Sequence, residues 1–283
     1  IYTISILFSL VLLGSCNDFL DRQPLDQVTP EVYFKNESDL ESYSINLYLD
    51  LFPNHGTGYG LGSIITGDQH TDNMVTSSGS TSRWAKNWRV PESGGNYSFT
   101  IIRRINFLMD RALPLWKNNS ISGNVTNINH YMGEMYMMRA YEYFNKLKTF
   151  GDFPIVRHEL KDDKASLIAS SKRAPRNQVA RFIISDLDSA IMLLQPEFKS
   201  KRRITQAVAQ LLKSRVALYE ASWLKYHKGT PHVPGGTGWP GASADYNSGF
   251  TIDIDAELNY FADEAMKAAK AVYDFMTSKG GLT

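Results

Sequence analysis

Apolar residues recur at spacings of three and four along five long stretches of this chain, a periodicity that only amphipathic helices satisfy. Residues 98–116 carry Ile101, Ile102, Ile105, Leu108, Met109 and Leu113 on one face, and residues 129–149 carry Tyr131, Met135, Met138, Tyr141, Phe144 and Leu147. Residues 177–194 align Val179, Phe182, Ile183, Leu187, Ala190, Ile191 and Leu194. In residues 205–227 the stripe is Val208, Leu211, Leu218 and Tyr219 among many alanines. The fifth, 255–277, has Leu258, Phe261, Ala262, Ala265, Ala268, Ala269, Val272 and Met276. Period-two alternation is confined to a few residues, Phe153-Pro154-Ile155-Val156 being the best short strand candidate. An all-α fold is expected.

Order narrows the class further. Stretches 98–116 and 129–149 are close enough to form one helical hairpin, and 177–194 with 205–227 a second. Ala207, Ala209, Ala217 and Ala221 permit close helix approach. Consecutive antiparallel pairs burying their faces on neighbours predict degenerate tetratricopeptide-type repeats, an α-solenoid with long irregular loops. Ahead of them, Thr29-Pro30-Glu31 suggests a helical turn leading to Phe34. Ser38-Asp39-Leu40-Glu41 reads as a capping box, Ser38 the N-cap, opening a helix to about Leu51. Two loops stand out: 54–96, and a glycine- and proline-rich one at 228–254 holding Trp239 and Tyr246. Long loops in compact domains usually carry function. The basic clusters Lys172-Arg173-Arg176 and Lys199-Lys201-Arg202-Arg203 lack interleaved aromatics and read as solvated loops.

The start of the chain is of a different kind. From Ile4 to Leu13 it is apolar apart from two serines, too short for the roughly 20 residues of a spanning helix but suited to a signal-peptide core. It ends in Leu13-Gly14-Ser15-Cys16, the form of a bacterial lipobox, in which the thiol accepts a diacylglyceryl group. The missing cationic region and initiator methionine are read as an incomplete start. Asn17 to Pro24 then form a polar tether. Residues 1–15 are expected to be a lipoprotein signal peptide, 16–227 a helical-repeat domain, and 228–283 a loop plus helix. Cys16, the lipidation site, is also the only cysteine, so no disulfide framework or Cys-based metal site is available.

Composition excludes several functions. Thirty basic against twenty-nine acidic residues leave no net field for nucleic acid. The six histidines show no metal-binding spacing, and no nucleophile elbow or phosphate loop is present. Asp186 and Asp188, two apart on a helix, point to different faces and do not form a glycosidase pair. Asp245-x-Asn247-x-Gly249 opens like a calcium loop but places Phe250 at the turn glycine and Ala256 at the bidentate glutamate. Glu134 and Arg139, inside an otherwise apolar helix, read as structural groups, and Met132, Met135, Met137 and Met138 as adaptable core filling. No catalytic residue, metal or cofactor is expected.

Several segments, taken together, resemble one family. Cys16-Asn17-Asp18-Phe19-Leu20-Asp21 followed by Pro24 is similar to the mature start of SusD/RagB lipoproteins, the outer-membrane nutrient-binding proteins of Bacteroidota. The run Gly133 to Phe144, with its Arg139-Ala140-Tyr141, continuing into Phe150-Gly151-Asp152-Phe153-Pro154, resembles that family's most distinctive segment. Arg176 to Ala190 and Arg203 to Ala221 resemble its third and fourth helix patterns. The resemblance covers the family's N-terminal, helical-repeat part; family members continue beyond the equivalent of Thr283. It implies a surface protein that captures oligosaccharides, or peptides in some members, and passes them to a SusC-like TonB-dependent transporter without breaking a bond.

Sugar capture needs flat aromatic faces and polar groups for hydroxyls. Residues 68–97 offer that mixture, and by the resemblance the candidates are Asp72, Asn73, Arg83, Trp84 and Asn87, with Trp88 four residues beyond Trp84. Trp239 and Tyr246 in the later loop are further candidates. Two competing classes remain at this level: a helical scaffold that binds only peptides or protein partners, and a surface glycosidase.

Overall fold

The computed structural model describes residues 33–53, 97–199 and 201–281. Among them are seven α-helices and two short 3-10 turns: α1 (Glu37–Leu51), α2 (Thr100–Lys117), α3 (Val125–Phe150), α4 (Lys164–Ser170), α5 (Arg176–Leu193), α6 (Gln206–His227) and α7 (Ile254–Ser278). The all-α, repeat-type reading therefore holds. α3 forms the axis of the stack: α1 and α2 pack on it from one side and α5 from the other, followed by α6 on α5 and α7 on α6. The 54–96 loop, Cys16 and the turn at Thr29 lie outside the described residues.

Most of the stripes point inward as the periodicity demands. Ile102, Ile105, Leu108 and Met109 of α2 are buried, as are Val179, Phe182, Ile183 and Leu187 of α5. Each such side chain contributes on the order of 1.5–3 kcal/mol. α3 goes beyond a stripe: Tyr131, Met132, Met135, Met138, Tyr143 and Phe144 are buried on several sides, because the helix is packed nearly all round. In α7, Phe261, Ala265 and Ala268 are buried, whereas Ala269 is exposed.

Four expectations need correction. The α6 stripe faces the wrong way: Val208, Leu211 and Leu218 are exposed, and the buried face is Ala209, Leu212, Val216, Ala217, Ala221 and Leu224. Both faces carry bulky aliphatics, but the buried one interleaves Leu212, Val216 and Leu224 with Ala209, Ala217 and Ala221, so α5 and α7 can approach closely and still find side chains to pack on. The cap of α1 is Asn36, not Ser38: Asn36 Oδ1 accepts the Asp39 N–H at 3.0 Å, while Ser38, already inside the helix, donates its hydroxyl to that same oxygen at 2.6 Å. The strand candidate shrinks to a single antiparallel bridge, Phe153 to Ala174, since Pro154 has no N–H to extend a ladder. Tyr143 holds that segment down, its hydroxyl accepting the Val156 N–H at 2.7 Å.

The basic clusters are only in part solvated. Arg203 is buried and clamps Glu134 of α3 with two bonds of 2.9 and 2.7 Å. Tyr48 of α1 donates to the same carboxylate at 2.6 Å, and burial together with Glu134 raises its pKa well above the ordinary phenol range. Arg176 is equally buried and grips Glu220 of α6, the shortest contact being 2.7 Å. Arg139 forks onto Asp186 of α5 at 2.7 and 2.9 Å, as its structural reading required. Breaking a pair of this kind by removing one member typically costs about 3–5 kcal/mol, because the other charge is left buried alone.

Candidate functional site

Helix α3 ends at Gly151, whose backbone sits at φ 71, where a side chain would be strained. The turn it permits carries Asp152 to the start of α5, which has no capping side chain of its own. Asp152 Oδ1 accepts the Arg176 N–H at 2.8 Å and so caps α5 from a distance. Its other oxygen, Oδ2, accepts the indole N–H of Trp239 at 2.8 Å. Burial raises the Asp152 pKa, partly opposed by these donors. One carboxylate thus pins a residue of the 228–254 loop to the helical frame.

Around this pin lies a cavity of about 590 Å³. Its walls are the end of α3 (Leu147 to Gly151), Arg173 and Arg176 ahead of and at the start of α5, Trp223 of α6, and the loop residues Pro231, His232, Trp239, Tyr246 and Asn247. Trp223 donates its indole N–H to the His232 carbonyl at 3.1 Å, and the Arg176 guanidinium lies 4.3 Å over its ring. Gly241 packs so tightly under Trp239 that a Cβ there would lie 2.2 Å from the indole ring. The cavity mouth carries two cations, Arg173 and Lys148. Desolvation and the nearby Arg215 guanidinium hold the Lys148 ammonium below the usual lysine range.

The loop candidates Trp239 and Tyr246 both line this cavity. They differ in what they offer. Trp239 is only 6% exposed, its ring tilted against Phe250 at 5.4 Å, so it presents an edge rather than an open stacking face. Tyr246 is 47% exposed, and its hydroxyl accepts the Arg173 N–H at 3.4 Å. Asp72, Asn73, Arg83, Trp84, Asn87 and Trp88 lie outside the described residues. Sequence reasoning missed Asp152, Trp223, Arg173 and Lys148 as cavity residues; the only local signal was the Gly151-Asp152 turn ahead of a proline. A smaller, more apolar depression of about 390 Å³ lies between Tyr97, Phe99, Ile102, Val156, Leu160 and Leu167. Among the described residues no cluster of three His, Cys, Asp or Glu side chains is placed to hold a metal, and no helix is long and apolar enough to cross a membrane.

Stacked helical pairs with an aromatic- and cation-lined cavity at one loop-bearing end define a helical-repeat protein. Residues 18–218 match a SusD-like family described as "Starch-binding associating with outer membrane", and the chain belongs to that family. It is 25% identical over 197 residues to SusD-like protein P2 of Formosa agariphila, covering 67% of this chain and 37% of that protein. To SusD-like protein P25 of the same organism it is 24% identical over 229 residues, covering 74% of this chain and 41% of that protein. The chain thus spans about two fifths of the length of these relatives. Two crystal structures of SusD-like proteins from Bacteroides fragilis share the fold. One has a TM-score of 0.53 at 19% identity, over 82% of this chain and 42% of that one. The other has 0.50 at 16%, over 85% and 43%.

Proposed function

We propose that this protein is a glycan-capture lipoprotein of the outer membrane, anchored through Cys16, exposed at the cell surface, and delivering oligosaccharides to a SusC-like TonB-dependent transporter. It binds and releases its ligand without catalysis. The carrying observation is the open cavity where Tyr246, Trp239 and Trp223 meet donors from three separate elements, within a fold whose family is described as starch-binding. Small-molecule sites have this make-up: a mostly fixed concavity, aromatic walls and a few placed polar groups. Asp72, Asn73, Arg83, Trp84, Asn87 and Trp88 supply a second aromatic and polar set for the same ligand. Residues 1–15 are the leader and 16–227 the repeat domain, with 228–283 leading into a C-terminal region of the longer relatives.

Titration calorimetry of the purified chain against a panel of polysaccharides and peptides tests this reading. Saturable binding to at least one glycan, weakened by Tyr246→Ala, is expected; silence across all glycans sinks it. A second reading, a scaffold that binds protein alone, is favoured by one feature, the exposed α6 row of Val208, Leu211 and Leu218. In the same panel that reading requires peptide binding with no glycan binding, lost on Leu218→Ser and indifferent to Tyr246→Ala.

A further inference from the structure

We propose that the cavity beside Trp239 takes an acidic glycan, one bearing carboxylate or sulfate groups, with Arg173 and Lys148 as the side chains that read the anion. The inference rests on the glycan-capture reading and narrows its substrate class.

The charge inventory of the cavity carries it. Arg176 is spent on Glu220 at 2.7 Å and stacked on Trp223. Asp152, the one carboxylate in the wall, already accepts an N–H on each oxygen, from Arg176 and from Trp239. Arg173 and Lys148 are left with no carboxylate in ion-pair range among the described residues. Their contacts are to rings: Arg173 lies 5.4 Å over Tyr97, and Lys148 lies 4.7 Å over Phe144. A ring face orients a cation without neutralising it. Arg103, Arg111 and Arg181, by contrast, each have a carboxylate partner.

Hydrogen-bonding capacity points the same way. A neutral sugar presents hydroxyls that donate as well as accept, so a site specialised for it balances acceptors against donors. Here the one carboxylate is partly engaged, with an N–H on each oxygen, and Asn247 ties its amide N–H to the Gly241 carbonyl, whereas a guanidinium and an ammonium, both pure donors, stand open. The ligand that complements them is rich in acceptors. A planar guanidinium matches carboxylate or sulfate oxygens with two parallel bonds, and a lysine adds a point charge. The Tyr246 ring beside Arg173 is placed for the adjoining sugar. The chain as a whole is close to neutral, so the preference is local to this mouth.

The test is affinity electrophoresis and calorimetry of the full chain with matched pairs. One pair is polygalacturonate and its fully methyl-esterified form, the other dextran sulfate and dextran. Binding about tenfold or more tighter to the charged member of at least one pair is expected, the size of one charge-assisted contact. The pair that responds identifies carboxylate or sulfate as the group read. Arg173→Gln and Lys148→Gln, both at exposed positions, each reduce the preference, and the double variant abolishes it. Lys270→Gln on α7 leaves it intact. Equal affinity for charged and neutral members overturns the inference while glycan capture stands. So does a preference that survives the double variant or falls equally in Lys270→Gln. No binding to these glycans or to any other in the wider panel defeats capture itself.

Discussion

Replacing Asp152 by alanine removes two bonds that serve different masters. The first is the remote cap of α5, the Arg176 N–H at 2.8 Å, and loss of a helix cap costs about 1 kcal/mol. The second is the indole N–H of Trp239, also at 2.8 Å, on a ring only 6% exposed. A buried donor left without an acceptor costs about 1–3 kcal/mol. The gross loss is about 2–4 kcal/mol. Asp152 itself pays for its position, since burial raises its pKa, and alanine escapes that cost. The expected net loss is therefore at the lower end, about 2 kcal/mol, or a fall of about 4–8 °C in Tm for a chain of this size. Asp152→Asn, which retains one acceptor oxygen but turns an amide N–H₂ toward the other donor, is expected to destabilise less than alanine. Urea denaturation followed by tryptophan fluorescence measures the difference, and near-UV circular dichroism reports whether the Trp239 environment is lost. A fall of less than about 0.5 kcal/mol in the alanine variant would mean that neither the remote cap nor the Trp239 bond stabilises the fold as expected.

Two further outcomes follow from the buried charges and from Lys148. Arg176→Met strands the fully buried Glu220 and is expected to cost about 3–5 kcal/mol by denaturant melts, while Arg176→Met with Glu220→Leu recovers most of it; a double variant no better than the single one contradicts the ion-pair account. Because the Lys148 pKa is lowered in the free protein and an anion would raise it, anionic ligand binding takes up a proton as pH climbs. Affinity is then greatest below the free-state Lys148 pKa and declines as pH rises through it, and Lys148→Gln removes that decline in calorimetric titrations at stepped pH.

The helices were legible because each is written locally. The apolar spacing of α2, α5 and α7 appears in consecutive residues, and so does the turn at Gly151. The buried face of α6 was not legible, because bulky aliphatics lie on both faces of that helix, and only contact with α5 and α7 selects the one that interleaves Leu212, Val216 and Leu224 with alanines. Arg176 and Arg203 looked solvated in sequence because their partners, Glu220 and Glu134, stand 44 and 69 residues away. The cavity was half visible for the same reason. Trp239 and Tyr246 were conspicuous aromatics in a glycine-rich loop, but Lys148, Asp152 and Arg173 acquire meaning only when that loop folds back over the α3–α5 junction.

The three buried guanidinium clamps join different pairs of segments: Arg203 to α3, Arg139 of α3 to α5, and Arg176 of α5 to α6. A helix sliding one turn past its neighbour moves about 5.4 Å, which an alanine-rich seam alone would tolerate. With the clamps in place the same slide would leave a carboxylate facing apolar side chains at each junction. The stack therefore has a single vernier setting. Mutational drift in the 228–254 loop can remodel the cavity mouth without shifting the helical frame behind it.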